Sequence, residues 1–264
     1  MDYVKDLDPW EDLKVLIFGR PGSGKTELAC TWPGAVLVDT DKGWKTTVNK
    51  RFRTLYPEQY DALRVKTFVD DFDDKGRFKK AQAYWDVMSF VNELAEDDSC
   101  ETIVQDSMTT LQSLAMNVGF ELSGQGKKSR SKSLARAHTP GLSPILLPTQ
   151  ADFGSEMRAM EQFLDQAIAN IKKKMVFTAH IREDRTSEGI LRAIDPYLIG
   201  GSIRAKVAFW FDEVWYLEVK NDGKRILNFT PSGVVKATKS RLGLTEPIED
   251  PSYSKIMEAI KKAA

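Results

Sequence analysis

Two cysteines, two histidines and no excess of either charge are what this 264-residue sequence most conspicuously lacks in chemistry. Cys30 and Cys100 are too few for a disulfide framework and have no metal-type spacing, so they read as inert thiols. With only His138 and His180, a zinc site has few ligands to draw on. Lys plus Arg and Asp plus Glu both number 38, which excludes a globally basic surface. Any contact with nucleic acid must then come from local patches. No apolar run approaches the roughly 18 residues that span a bilayer, and the first residues lack the apolar core of a signal peptide. The expectation is a cytoplasmic protein with no membrane partner.

What the sequence does have is a glycine loop. Gly19-Arg20-Pro21-Gly22-Ser23-Gly24-Lys25-Thr26 fits G-x-x-x-x-G-K-[ST] at every fixed position. The apolar run at 15–18 reads as a buried strand, and Glu27-Leu28-Ala29 as the start of a helix. Glycines let the backbone approach an anion, so that successive N–H groups point at phosphate oxygens. Lys25 then serves the β- and γ-phosphates and the Thr26 hydroxyl serves Mg2+. All eight residues are expected to bind nucleotide.

After the loop, strand and helix signals alternate, which predicts a mostly parallel sheet flanked by helices, with ligands beyond the carboxyl ends of its strands. Residues 35–38 form a second buried strand ending at Asp39. Asp41 is a candidate carboxylate for polarising an attacking water, or else a solvated acid behind a turn capped by Asp39. Residues 78–96 carry apolar side chains at helical spacing. Residues 102–105 deliver Asp106 to a strand end, where an acid can hold a metal shell, and a helix follows near 109–122. Residues 154–173 read as a second amphipathic helix, and 175–179 as a strand ending at His180. That histidine is either a sensor of the γ-phosphate or a hydrogen-bonded strand end. Asn221-Asp222-Gly223-Lys224 between two apolar runs signals an antiparallel hairpin at one sheet edge.

Two stretches read as mobile loops, 123–150 and 183–199. The first is basic, with Lys127, Lys128, Arg130 and Lys132, and has no acid between Glu121 and Asp152. The second carries Arg185 and Arg192 and closes at Gly200-Gly201. Such segments suit a polyanion such as single-stranded DNA; a solvated surface loop is the alternative. Without repeats or an inter-domain linker, residues 1–264 read as one domain, with 1–13 as a lead-in and 251–264 as a last helix.

Over residues 13–245 the order of these pieces resembles the RecA-like recombinase and hexameric-helicase core, one branch of the phosphate-loop ATPases. The likeness is carried by Asp39-Thr40-Asp41, Asp106-Ser107, His180, the 183–198 loop with Gly200-Gly201, and Lys239-Ser240-Arg241 after the last hairpin. It implies an α/β RecA-like fold, ATP and Mg2+ as cofactors, and catalytic roles for Lys25, Asp41, Asp106 and His180. Thr26 and Asp106 would form the metal shell. Lys239 and Arg241 would reach the nucleotide of a neighbouring subunit as fingers on the transition-state charge. Asp41 departs from the longer glutamate common in RecA-type proteins, and His180 stands for a glutamine.

A core of this size, with residues 149–154 ahead of the long helix, looks most like phage-encoded single-strand annealing proteins of the Sak type. That resemblance implies single-stranded DNA binding, ATP-stimulated annealing, a homo-oligomeric ring or filament, help from a single-strand-binding protein, and residence in a host bacterial cytoplasm. A replicative helicase-like motor or loader, a small-molecule kinase and a structural protein assembled by ATP remain as alternatives. Trp44 is either a partner for adenine or a core residue.

Overall fold

The first apolar run becomes β1 (Lys14–Gly19), buried along its whole length. Leu16 and Phe18 pack on one side of it, Val15 and Ile17 on the other. A strand apolar on both faces needs cover on both, as in parallel sheets. In the computed structural model, which describes residues 8, 10–72, 78–122, 148–198, 206–207 and 209–263, the neighbours of β1 supply that arrangement.

Parallel partners flank β1, with β7 (Lys174–Ala179) on one side and β10 (Glu213–Val219) on the other. The parallel order continues past β7 through β6 (Thr102–Asp106), β2 (Ala35–Asp39) and β3 (Arg64–Thr67). Beyond β10 the direction reverses: β11 (Arg225–Asn228) and β12 (Lys239–Ser240) pair antiparallel with β10, and β13 (Ile248–Glu249) with β11. Among the described residues the sheet has nine strands and is mostly parallel with an antiparallel edge, as its sequence pattern implies.

Helices α4 (Ala83–Glu96), α5 (Met108–Leu122) and α6 (Gln150–Asn170) cover the Leu16 side. The Val15 side is covered by α1 (Lys25–Ala29), α2 (Lys50–Leu55), α3 (Pro57–Ala62) and α7 (Tyr253–Ala263). On α4 the inward stripe is Tyr84, Val87, Val91 and Leu94, all buried. Burying each such side chain is worth about 1.5–3 kcal/mol in transfer free energy. Among the described residues no helix is long and apolar enough to cross a membrane. Cys30 and Cys100 are both buried, and burial pushes both thiols up, which fits inert side chains.

Three expectations change. The helix expected from 78 begins at Ala83, whose N–H is held by Asp70 Oδ1 at 2.9 Å; β5 (Phe78–Lys80) instead pairs with β4 (Asp71–Phe72). Residues 150–153 open the long helix rather than precede it. Thr149 and Asp152 form a reciprocal capping box that satisfies the first free N–H groups. The stretch 183–198 is largely a hairpin, β8 (Ile181–Arg185) against β9 (Leu191–Pro196), rather than a loop. The basic residues Lys127, Lys128, Arg130 and Lys132 and the Gly200-Gly201 pair lie outside the described residues.

Candidate nucleotide and metal site

Register in the parallel sheet brings four strand ends to one place. Asp39 pairs with Asp106 across β2 and β6, and Phe18 with Ala179 across β1 and β7. The glycine loop, Asp39-Thr40-Asp41, Asp106-Ser107 and His180 therefore meet beyond the carboxyl ends, where parallel sheets bind ligands.

Lys25 is buried, and its Nζ donates to the carbonyls of Gly19 and Arg20, both at 3.0 Å. Burial lowers its pKa, against the pull of Asp106 and Asp41. Ser23 Oγ, also buried in the loop, has no hydrogen-bond partner among the described residues. The loop thus holds a cation and a hydroxyl that its own atoms only partly satisfy. Arg20 leans away, its guanidinium 2.5 Å from Glu183 on β8. Pro21 and Gly22 lie in the same turn between β1 and α1.

Asp106 is almost wholly buried, with the Lys25 ammonium within electrostatic reach. Thr26 Oγ1 donates to its Oδ2 at 2.8 Å and the Thr178 hydroxyl to its Oδ1. Burial raises its pKa, and Asp41 and Asp39 push it further the same way. A Cβ on Gly43, which opens a 3-10 helix at Gly43–Thr46, would strike this carboxylate, so only glycine fits there. Buried carboxylate and hydroxyl oxygens, with the carboxylates of Asp39 and Asp41 near enough to act on Asp106 and the Lys25 ammonium in reach, are a donor set that suits a hard divalent cation such as Mg2+. Thr26 and Asp106 are the side chains that would hold it.

Asp39 and Asp41 divide their work. Asp39 is buried and accepts hydrogen bonds from Thr67 Oγ1 at 3.0 Å and from the N–H of Gly43 at 2.9 Å, so it shapes the turn. Thr40 ties this turn to β6, its N–H donating to the Asp106 carbonyl at 2.6 Å. Asp41 is partly exposed and meets His180 Nε2 at 3.0 Å. That hydrogen bond, more than any other influence, holds the Asp41 carboxyl below its usual range despite partial burial. The backbone of His180 is fixed on both sides: its N–H donates to Thr109 Oγ1 at 3.1 Å and its carbonyl accepts from the Tyr197 N–H at 2.7 Å. An ionised carboxylate held by an imidazole beside a phosphate loop can orient a water and take its proton.

Other candidates lie elsewhere. Lys239 and Arg241 flank the start of β10, level with the amino end of β1, one strand length from the loop of their own chain. Lys239 Nζ donates to the Phe211 carbonyl at 2.5 Å, and Arg241 pairs with Asp212 at 2.6 Å. Arg185 is held by Glu183 at 2.6 Å and by the Gly189 carbonyl, while Arg192 is exposed on β9. Trp44 packs against the Val15-side core.

Sequence reasoning passed over Thr178, Gly43, Glu27 and Arg225. A polar residue inside the apolar run of β7 is a signal that could have found Thr178, since a buried hydroxyl needs a partner. Nothing local marks Arg225, which reads as an ordinary strand residue. In comparison with known proteins, a family described as an AAA domain matches residues 11–242. No curated protein matches the chain.

Proposed function

The chain belongs to the AAA domain family and has an α/β fold of the phosphate-loop NTPase kind, and from that premise we propose that it hydrolyses ATP with Mg2+ while bound to single-stranded DNA, promoting strand annealing in recombination. The observation that carries the ATP half is the convergence of Lys25, Thr26, Asp106, Asp41 and His180 on one glycine loop. Bound Mg2+ would neutralise phosphate charge between Thr26 and Asp106. Lys25 exchanges the Gly19 and Arg20 carbonyls for the β- and γ-phosphates. Asp41, kept ionised by His180, aligns the attacking water and accepts its proton.

Support for the DNA half comes from the hairpin β8–β9. It starts one residue after His180, carries Arg185 and Arg192, and grips Arg20 of the loop through Glu183. A polyanion that takes Arg185 from Glu183 leaves that carboxylate to Arg20 alone, so the pair that ties the hairpin to the phosphate loop tightens. Fingers from Lys239 and Arg241 on a nucleotide between subunits rest on the resemblance to the RecA-like core, and annealing, a ring or filament and a single-strand-binding partner on the resemblance to Sak-type proteins. A finger role asks Arg241 to leave Asp212 when a neighbour docks.

Hydrolysis with and without single-stranded DNA tests this reading, using the wild type, Lys25→Ala, Arg241→Ala and a mixture of the two variants. DNA stimulation, loss in each variant and partial recovery in the mixture are expected. Turnover indifferent to DNA and to Arg241→Ala would sink the proposal and favour a small-molecule kinase.

A further inference from the structure

Arg225 reaches the phosphate loop from the other end of the sequence. It opens β11, and its guanidinium lies against Gly24: a Cβ on that glycine would come within 2.6 Å of Cζ and 2.9 Å of Nη1. Gly24 has φ +95°, a left-handed conformation that favours glycine in any case. Arg225 Nη1 is 2.6 Å from Glu27 Oε1, and Arg51 Nε is 3.2 Å from the same oxygen. Two guanidiniums thus converge on one carboxylate whose side chain is only 5% exposed. Asp250, the other acid beside them, meets Arg225 through the backbone, its Oδ1 accepting from the Arg225 N–H at 3.3 Å.

One arginine would satisfy Glu27 as a structural ion pair. The second, Arg51, is half exposed, so solvent screens part of the like-charge repulsion; two guanidiniums on one carboxylate still leave the cluster net positive, a charge that a further anion would complement. A guanidinium has five N–H donors in a flat fork, so Arg225 keeps donors in hand beyond its contact with Glu27. Its position also complements that of Lys25. The lysine lies on the flank formed by Gly19 and Arg20, and Arg225 on the flank formed by Gly24 and Glu27.

We infer that Arg225, seated by Glu27 and backed by Arg51, is a nucleotide ligand that receives the α-phosphate and ribose end of a nucleoside triphosphate whose β- and γ-phosphates lie at Lys25. The inference rests on the ATP reading above and extends the site by residues that lie outside the loop pattern. It also explains why the antiparallel edge of the sheet is folded against the phosphate loop: β11 carries part of the ligand contact.

Calorimetric titration of the full chain with Mg2+-ATP and with inorganic pyrophosphate separates the two flanks. Arg225→Ala and Arg225→Gln should each weaken ATP about tenfold and pyrophosphate less than about twofold, because charge-assisted contacts to the nucleoside end are lost. Lys25→Ala should weaken both. The glutamine variant keeps a donor for Glu27, so it decides the matter if the alanine variant fails to fold. ATP affinity equal to wild type in Arg225→Gln overturns the inference. Equal weakening of ATP and pyrophosphate also overturns it, because Arg225 would then only prop the loop. Wild type that binds ATP no better than Lys25→Ala removes the ATP reading itself, and this one with it.

Discussion

The two ends of the central sheet treat buried charge in opposite ways. At the amino end of β1 and β10, Lys14 Nζ donates to the carbonyls of Asp12, Ile171 and Lys173, and Glu213 accepts from Trp215 Nε1, Ser240 Oγ and the N–H groups of Arg241 and Leu242. At the carboxyl end, Asp106 has hydroxyls for hydrogen-bond partners, and Lys25 donates to the carbonyls of its own loop with Asp106 and Asp41 acting on it at a distance. Ser23 Oγ and His180 Nδ1 have no partner there among the described residues. Desolvating a charge is costly unless it is paired and hydrogen-bonded. Where the protein completes the pairing itself, the charge serves the fold; where it leaves a shortfall, a ligand completes it.

That comparison breaks most visibly at Asp106. Asp106→Asn should lower ATP turnover at least about 100-fold, a barrier change near 3 kcal/mol, because the metal shell is lost. Melting without Mg2+ should occur at a higher temperature than in wild type, because a buried carboxylate crowded by Asp41 and Asp39 is gone. A variant that melts lower would put Asp106 among the structural charges. The reverse holds for Glu213. Glu213→Ala strands four donors and should cost about 3 kcal/mol in urea unfolding while leaving ATP affinity unchanged.

Glu156 sharpens the contrast, being a shortfall away from the candidate site. It is buried between α5 and α6, takes a hydrogen bond from Gln112 Nε2, and has no partner for Oε2 among the described residues. Burial pushes its pKa up to about 7 from an ordinary value of 4.5. Between those values the folded chain keeps a proton that the unfolded chain has released. Stability should therefore fall as pH rises from 4.5 to about 7 and then level off, by up to about 3 kcal/mol for this group. Glu156→Gln should flatten that slope, and urea midpoints across pH 5–8 measure it. A slope unchanged by the substitution would show that other groups carry it.

The smallest effect belongs to Arg241. Its ion pair with Asp212 is largely exposed, so Arg241→Ala should shift stability by no more than about 0.5 kcal/mol. A larger loss in the urea midpoint would mean that the pair holds the start of β10 in place.

Legibility in the sequence followed locality. The glycine loop, β1, β2, β6 and β7 could be read because strand, loop and helix signals stand side by side, and parallel pairing then fixes which ends meet. Thus Lys25, Thr26 and Asp106 come together as their positions imply. The hairpin β8–β9 was hidden because it is detached from the main sheet and Arg182, Glu183, Asp184 and Arg185 show no apolar alternation. Residues 78–80 looked helical through the register of the helix that follows them. Arg225 could not be read at all: its contact with Gly24 depends on β11 crossing to the loop, a fact of topology rather than of spacing. The same holds for the separation of Lys239 and Arg241 from the loop of their own chain.

The place of β1 between β7 and β10 has a consequence for the ribosome. Among the described residues it precedes every other strand in the chain, yet its partners are residues 174–179 and 213–219. At roughly 5–20 residues per second, the apolar segment Val15–Phe18 waits on the order of ten seconds for a neighbour. Until then its N–H and C=O groups are open to pairing with another nascent chain. Production of this protein should accordingly respond to chaperones that shield emerging strands more than its finished stability would suggest.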